Sequence, residues 1–116
     1  MRTFVSGKIH GIRVTSKSVA YHGSVGLSRE LLAAVEIQPF EQVHIVNLTT
    51  GSRWITYALP LDEPGAFSLN GGGARLGEVG DECVVMSFET RDTYRPAKVV
   101  HLNEHNAIKT RLEYAS

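Results

Sequence analysis

The segment YHGSVG (residues 21–26) concentrates side chains that could do chemistry, because Tyr21, His22, Gly23 and Ser24 are consecutive. A serine hydrolase presents its nucleophile in the pattern G-x-S-x-G, in which glycines on both sides relieve crowding at a strained turn. Here His22 occupies the position of the first glycine, and no Asp-then-His order follows downstream. The segment therefore does not predict a hydrolase. A plain turn before a helix is the simplest alternative.

The Gly23-Ser24 dipeptide also permits a different use of the serine. A hydroxyl can attack the carbonyl of the preceding residue if the peptide between them is strained, and glycine allows unusual torsions there. The amide becomes an ester, elimination cuts the chain, and the serine becomes an N-terminal pyruvoyl group. Such a carbonyl can form a Schiff base with a substrate amine and act as an electron sink. This chemistry requires companion residues elsewhere in the chain.

The segment SRWITY (residues 52–57) offers two such companions. Side chains alternate along a strand, so Arg53, Ile55 and Tyr57 are predicted to share one face, with guanidinium and phenol side by side. Arginine binds a carboxylate through paired hydrogen bonds, and tyrosine can deliver a proton in a water-poor site. The alternative is a surface arginine beside a half-buried tyrosine.

The segment NGGGAR (residues 70–75) cannot be the interior of an ordinary strand or helix. Its successive N–H groups lack side chains, which is a common way to bind a carboxylate or phosphate. A tight loop without a ligand is the alternative. The segment is not a dinucleotide fingerprint, because the G-x-G-x-x-G spacing and a βαβ unit are missing.

Strand patterns dominate the elements that must position these residues. One or two strands are predicted in RTFVSGKIHGIRVTS, a short strand ending at Gly23 in SVAYHGS, a hairpin in EQVHIVNLTTGSRWITYALP, a buried strand in ECVVMSFE and a final strand in AKVVHLN. The tail NEHNAIKTRLEYAS is ambiguous. A helix is predicted in SRELLAAVEI, with Ser28 as N-cap and Pro39 after its end. Many short strands with glycine turns predict a small, mostly β barrel with one or two short helices.

The composition narrows the class of protein. A chain of 116 residues suits one domain, and twelve basic residues balance twelve acidic ones, so neither nucleic acid nor an anionic membrane is expected as a partner. No apolar run approaches the roughly 20 residues of a membrane helix, and MRTFVSGKIHG lacks the apolar core of a signal peptide, which predicts a cytoplasmic protein. Because a small chain encloses a deep cleft with difficulty, a site between subunits is favoured.

The single cysteine and three of the histidines are predicted to have structural rather than catalytic roles. Cys83 lies in an apolar run and is predicted to be a packed core thiol. His44 is expected to be half-buried in a strand. His101 and His105 are four residues apart and are expected beyond the last strand, where a metal site is not favoured.

Taken in order, five segments resemble the pyruvoyl-dependent aspartate 1-decarboxylases, which make β-alanine for pantothenate: GKIH, YHGS, NLTTGSRWITY, NGGGARLGEVGD and RPAKVVHLNEHNAI. The similarity covers nearly the whole chain and keeps the order and spacing of that family. It implies a double-ψ β-barrel assembled as a homotetramer with sites at subunit interfaces. It further implies L-aspartate as substrate, a pyruvoyl group derived from Ser24 and no metal, and it leaves open whether a maturation partner is needed.

The resemblance also implies roles for individual residues. Ser24 would become the pyruvoyl group after cleavage of the Gly23–Ser24 bond, and Tyr57 would protonate the decarboxylated carbanion. Thr56 would support self-processing and line the substrate site. Lys8 and Arg53 would hold the aspartate carboxylates. The other residues implied to bind or surround the substrate are His10, Tyr21, Asn70, Gly71, Gly72 and Gly73.

Several positions depart from the family pattern. Ser18 stands where an aspartate is customary, Leu27-Ser28 replaces isoleucine-aspartate, and Gly72 and Gly73 replace small alanines. Together with His22, these changes put the rate of self-cleavage in question, because that step depends on local strain. Two other functions are therefore kept: a binding module for a small anion with an uncut Gly–Ser bond, and a pyruvoyl decarboxylase of another small amino acid.

Overall fold

The computed structural model describes residues 1–19 and 23–116. Within these residues the chain forms nine strands, one α-helix and one 3-10 helix. The 3-10 helix, Gly71–Arg75, is called the glycine turn below. The other elements are β1 (Arg2–Arg13), β2 (Ser16–Ser18), β3 (Val25–Ser28), α1 (Arg29–Ala34), β4 (Gln42–Asn47), β5 (Arg53–Leu61), β6 (Phe67–Asn70), β7 (Glu82–Arg91), β8 (Ala97–Leu102) and β9 (Ile108–Tyr114).

The strands form one mixed sheet in the order β2-β6-β3-β5-β4-β7-β1-β8-β9. Only two sequential pairs, β4 with β5 and β8 with β9, are adjacent in this order, so most connections cross over. β3 lies parallel to β5 and antiparallel to β6. The mostly β prediction is confirmed, and this architecture is consistent with the small barrel expected from the sequence.

The core lies on the inner face of the curved sheet. Its largest fully buried side chains include Phe67, Ile9, Leu27 and Ile45. Each such side chain contributes about 1.5–3 kcal/mol when it leaves water. The predicted core thiol is confirmed: Cys83 is fully buried, and burial raises its pKa to about 12, so it is an inert thiol rather than a nucleophile.

The predicted helix is confirmed, but it ends earlier than its sequence pattern. Ser28 occupies the N-cap position without a side-chain capping bond, and the helix stops at Ala34. Glu36 then adopts a left-handed conformation (φ 58°), and the amide of Ile37 donates to the carbonyl of Leu32. This reversal directs Ile37 into the core, where it is 3% exposed.

The strand predictions are confirmed in the hairpin and in the buried strand, with three corrections. AKVVHLN forms β8 but is not the last strand, because the ambiguous tail adds β9 at its edge. His101 therefore lies inside β8 rather than beyond it. In SVAYHGS only Ser18 belongs to a strand, and Val19 lies in a turn; residues 20–22 are outside the described part.

β1 is a single long strand rather than two, with register shifts between Val5 and Gly7 and between His10 and Ile12. In the described ranges, no helix is long and apolar enough to cross a membrane.

Candidate active site

The Gly23–Ser24 peptide lies between two left-handed residues. Gly23 has φ 93° and Ser24 has φ 79°. A glycine tolerates this conformation, but a serine in it stores roughly 1–3 kcal/mol that the surrounding structure must hold in place. Within residues 1–19 and 23–116, a Cβ built at Gly23 would meet nothing within 4 Å, so it is the backbone conformation that favours glycine there. The bond proposed for cleavage is thus locally strained.

Asn70 holds Ser24 through two hydrogen bonds. Its side-chain Nδ2 donates to Oγ of Ser24 at 3.1 Å, and its backbone amide donates to the carbonyl of Ser24 at 3.2 Å. Ser24 is 4% exposed and Asn70 is 7% exposed. Because Nδ2 donates, the hydroxyl oxygen acts as acceptor and its own proton is free to leave toward another group. The arrangement orients the hydroxyl and shields it from water.

Tyr57 belongs to the strand beside Ser24. Val25 pairs with Ala58 on β5 and with Leu69 on β6. The residues next to those partners, Tyr57 and Asn70, therefore flank Ser24 at strand spacings of about 4.8 Å. Tyr57 is 39% exposed.

Thr56 is half-buried on the opposite face of β5, among the inward-facing residues. The sheet thus brings Ser24, which directly precedes β3, between Tyr57 of β5 and Asn70 of β6, while Thr56 faces the other side of β5.

Arg53 shares the exposed face of β5 with Ile55 and Tyr57, as the alternation predicted. It is nevertheless four residues from Tyr57, which corresponds to about 13 Å of strand. Within one chain the guanidinium and the phenol are therefore at two ends of one face and not side by side.

The three glycines of NGGG form the first residues of the glycine turn, and Asn70 is the last residue of β6. The segment is thus a strand end followed by a short 3-10 helix, in agreement with the expectation that it is not the interior of an ordinary strand or helix. The first amides of a helix have no acceptor in a preceding turn, so those of Gly71 and Gly72 can donate to a ligand. The turn begins directly after Asn70, the residue that holds Ser24, and its third residue, Gly73, lies against Trp54.

Lys8 and His10 lie in another part of the sheet. Cross-strand pairing connects Ile55 to His44, His44 to Met86 and Met86 to Lys8, which is three strand spacings or about 14 Å of sheet. The ammonium of Lys8 donates to the hydroxyl of Tyr114 at 3.0 Å. Within a single chain, Lys8 therefore lies far from Ser24, Tyr57 and Asn70.

His10 stacks on His101 with ring centroids 4.9 Å apart, and both line a polar cavity of about 430 Å³ with Glu82 and Lys109. Burial lowers the pKa of His10, and the neighbouring His101 and Lys8 lower it further. The remaining predicted site residue, Tyr21, is outside the described residues.

Sequence reasoning missed two residues at these locations. Trp54 faces inward between Arg53 and Ile55 on β5. The alternation of side chains along the strand indicated no role for it, but its indole contacts the glycine turn. Tyr114 lies in the tail whose structure was ambiguous, and only the pairing of β9 brings it to Lys8. In residues 1–19 and 23–116, no group of three or more His, Cys, Asp or Glu side chains is arranged to hold a metal ion.

The fold and site define a small, mostly β protein whose buried serine follows a glycine, with both residues in left-handed conformations. A model of the family described as Aspartate decarboxylase matches residues 1–109. The chain belongs to this family, and the resemblance inferred from its motifs is confirmed.

Individual relatives match over most of their length. The chain is 42% identical to "Aspartate 1-decarboxylase 1" of Gloeobacter violaceus over 114 residues, which cover 93% of this chain and 96% of that protein. It is 39% identical to "Aspartate 1-decarboxylase" of Campylobacter jejuni over 109 residues, covering 90% and 86%. It is 43% identical to the protein of the same name from Pyrobaculum islandicum over 89 residues, covering 77% and 73%.

Proposed function

We propose that this protein is made as a proenzyme that cuts its own chain between Gly23 and Ser24 and then converts L-aspartate to β-alanine and CO2. Its product would supply pantothenate and coenzyme A synthesis. The observation that carries the proposal is the strained Gly23–Ser24 peptide, with Oγ of Ser24 held by Asn70. The choice of substrate is supported by the family and by relatives whose names state aspartate decarboxylation.

Self-cleavage follows from the chemistry of Ser24. Its Oγ attacks the carbonyl carbon of Gly23; the C–N bond breaks as the ester forms, and the freed nitrogen takes up a proton. Elimination then releases Gly23 with a carboxylate, and water replaces the former Ser24 nitrogen, which leaves as ammonia, to give the pyruvoyl group. The strained backbone of Ser24, with φ 79°, raises the free energy of the intact peptide and so favours its cleavage. The amide of Asn70 stabilises negative charge on the attacking oxygen, and Thr56 would assist from the neighbouring strand.

The residues around Ser24 fit a pyruvoyl group. The position is almost fully buried, and once Oγ has left with Gly23 the side-chain amide of Asn70 is available to donate to a carbonyl oxygen formed at this residue. When formed, a pyruvoyl carbonyl supplies an electron sink for loss of CO2 from an acid that carries an amine. No other prosthetic group is part of the proposal.

The remaining predicted residues bind the substrate and move a proton. Aspartate is a dicarboxylate, so Arg53 and Lys8 provide cationic partners, and the amides of Gly71 and Gly72 donate from the glycine turn. Binding one carboxylate to the cations keeps it in place, and the carboxylate that lies away from them is the one lost as CO2. Tyr57 delivers a proton to the carbon that has lost CO2.

We further infer that the complete site forms between copies of this chain in a homo-oligomer, with a tetramer as the expected state. Support comes from the distance of about 14 Å of sheet between Lys8 and β5. The outer face of β5 is also available to a second copy, because Ile55 is 58% exposed and Tyr57 is 39% exposed. Light scattering after size-exclusion chromatography measures the oligomeric state.

Intact-mass analysis with a product assay tests the proposed function. The expected result is two fragments that meet at Gly23 and Ser24, the larger one blocked at its N-terminus, and formation of β-alanine from aspartate. An uncut chain that forms no β-alanine would overturn the proposal and favour a binding module for a small anion. Borohydride trapping with competing amino acids distinguishes aspartate from another small amino acid as the substrate.

The proposal also treats residues 1–116 as one domain and keeps the cytoplasmic location expected from the sequence. Cell fractionation tests the location. Incubation of the purified uncut chain alone tests whether a maturation partner is needed, since cleavage without additions excludes that requirement.

A further inference from the structure

The three glycines of the glycine turn are subject to different structural constraints. Gly71 has φ 61°, so its left-handed backbone favours glycine. Gly72 has no such φ, and a Cβ there would meet no atom of the described residues within 4 Å. Gly73 also lacks a left-handed φ, but a Cβ there would lie 3.1 Å from Nε1 of Trp54. Among the described residues, a Cβ at Gly73 would therefore be crowded by a neighbouring side chain, whereas one at Gly72 would not.

The contact involves the nitrogen-bearing edge of the indole. After Nε1, the next atoms of Trp54 that such a Cβ would meet are Cε2 at 3.7 Å and Cδ1 at 3.9 Å. Nε1 is buried, and it has no hydrogen-bond acceptor among the residues that the structure describes. Trp54 packs against the buried core, and this packing holds the indole at the turn.

We propose that Trp54 is a positioning residue that sets where the glycine turn lies, and that glycine is favoured at Gly73 because the indole crowds the position of a Cβ. The inference rests on the proposed function, in which this turn binds aspartate. The same turn begins after Asn70, whose side chain holds Ser24 at 3.1 Å. A displacement at Gly73 therefore moves the amides of Gly71 and Gly72 relative to the reacting group.

The test is a double-mutant cycle between positions 54 and 73. Gly73→Ala requires the turn or the indole to move by a few tenths of an ångström. Because a 1 Å misplacement costs about a hundredfold, we expect KM for aspartate to rise about fivefold while kcat changes little. Trp54→Phe removes the nitrogen-bearing edge, so the double variant W54F/G73A should recover most of that loss.

Gly72→Ala is the matched control for the cycle. It removes the same backbone freedom from the turn, but its Cβ contacts nothing, so the effect of G72A should be the same in the unsubstituted and the W54F backgrounds. Intact-mass analysis of every variant shows whether the chain is cleaved to the same extent, which separates a change in substrate binding from a change in processing. Additive effects of G73A and W54F on KM would overturn the proposal.

A second measurement does not depend on the reaction. Trp54 is the only tryptophan in the sequence, so its fluorescence reports the contact directly. We expect the emission to change in G73A and not in G72A; unchanged emission in G73A would overturn the proposal. Absence of aspartate decarboxylation by the unsubstituted protein would refute the proposed function and leave this measurement valid. If G73A does not fold, restoration of folding by W54F supports the contact, and failure to restore it argues against it.

Discussion

The side-chain amide of Asn70 donates a 3.1 Å hydrogen bond to the hydroxyl of Ser24, a residue whose own backbone is left-handed at φ 79°. The two residues are 46 positions apart, and antiparallel pairing of β3 with β6 brings them together. One side chain thus orients the proposed nucleophile while the sheet holds its peptide in a strained conformation. Self-processing would use this contact until Oγ leaves with the carboxylate of Gly23.

Ser24→Ala should abolish self-cleavage, because no hydroxyl remains to attack the carbonyl of Gly23. Intact-mass analysis is expected to show a single chain of 12.7 kDa and no β-alanine from aspartate. Ser28→Ala is a matched control, since Ser28 is also buried (1% exposed) but makes no side-chain capping bond. Two fragments from the Ser24 variant would contradict the assignment of the nucleophile.

Asn70→Ala should slow self-cleavage about fivefold, because a net hydrogen bond of about 1 kcal/mol to the attacking oxygen is lost. The time course of fragment appearance in freshly purified protein measures this rate. An unchanged half-life would show that the Asn70 contact does not assist the attack.

Tyr57→Phe should leave self-cleavage intact and reduce kcat for β-alanine formation by about 10²–10⁴-fold, the range for a lost general acid. Mass analysis verifies cleavage, and chromatographic product analysis measures kcat. Because phenylalanine keeps the ring, any loss is attributable to the hydroxyl. Full activity would refute the role of proton donor.

Mixed oligomers of Lys8→Ala and Tyr57→Phe should be more active than either variant alone. If one copy supplies Lys8 and another supplies Tyr57, some sites in the mixture carry both unsubstituted residues. Co-expression with two different affinity tags, followed by tandem purification and a β-alanine assay, measures this gain. Mixed oligomers without any gain would contradict a site shared between copies.

The stability of the fold should fall as the pH decreases below about 6.5, in part because of His10. Burial, His101 and Lys8 lower the pKa of His10, so the unfolded chain takes up a proton at a pH where the folded chain does not. The free energy of unfolding therefore decreases as the pH falls through that window. Thermal unfolding of His10→Gln between pH 7 and pH 5 should show a smaller decrease in Tm than that of the unsubstituted protein. His105→Gln, at a histidine whose side chain is 80% exposed, is the control and should show the original decrease.

The sequence alone determined the features that depend on short stretches of chain. Alternating side chains predicted the hairpin of β4 and β5 and the exposed face shared by Arg53 and Tyr57. Leu31, Leu32 and Val35 at helical spacing predicted α1. The Gly23-Ser24 dipeptide permitted self-cleavage chemistry, and the family resemblance implied it. The structural predictions succeeded because strand and helix periodicity are encoded within a few residues.

Only the tertiary structure decided how these pieces meet. It brought Asn70 to Ser24, separated Lys8 from β5 by two intervening strands, and laid Gly73 against an indole that the sequence pattern had left without a role. It also ended α1 early and turned the tail into β9. The physical reason is that strand order, left-handed backbone and side-chain contact depend on which distant segments pack together, and the free energy of that packing overrides local preference.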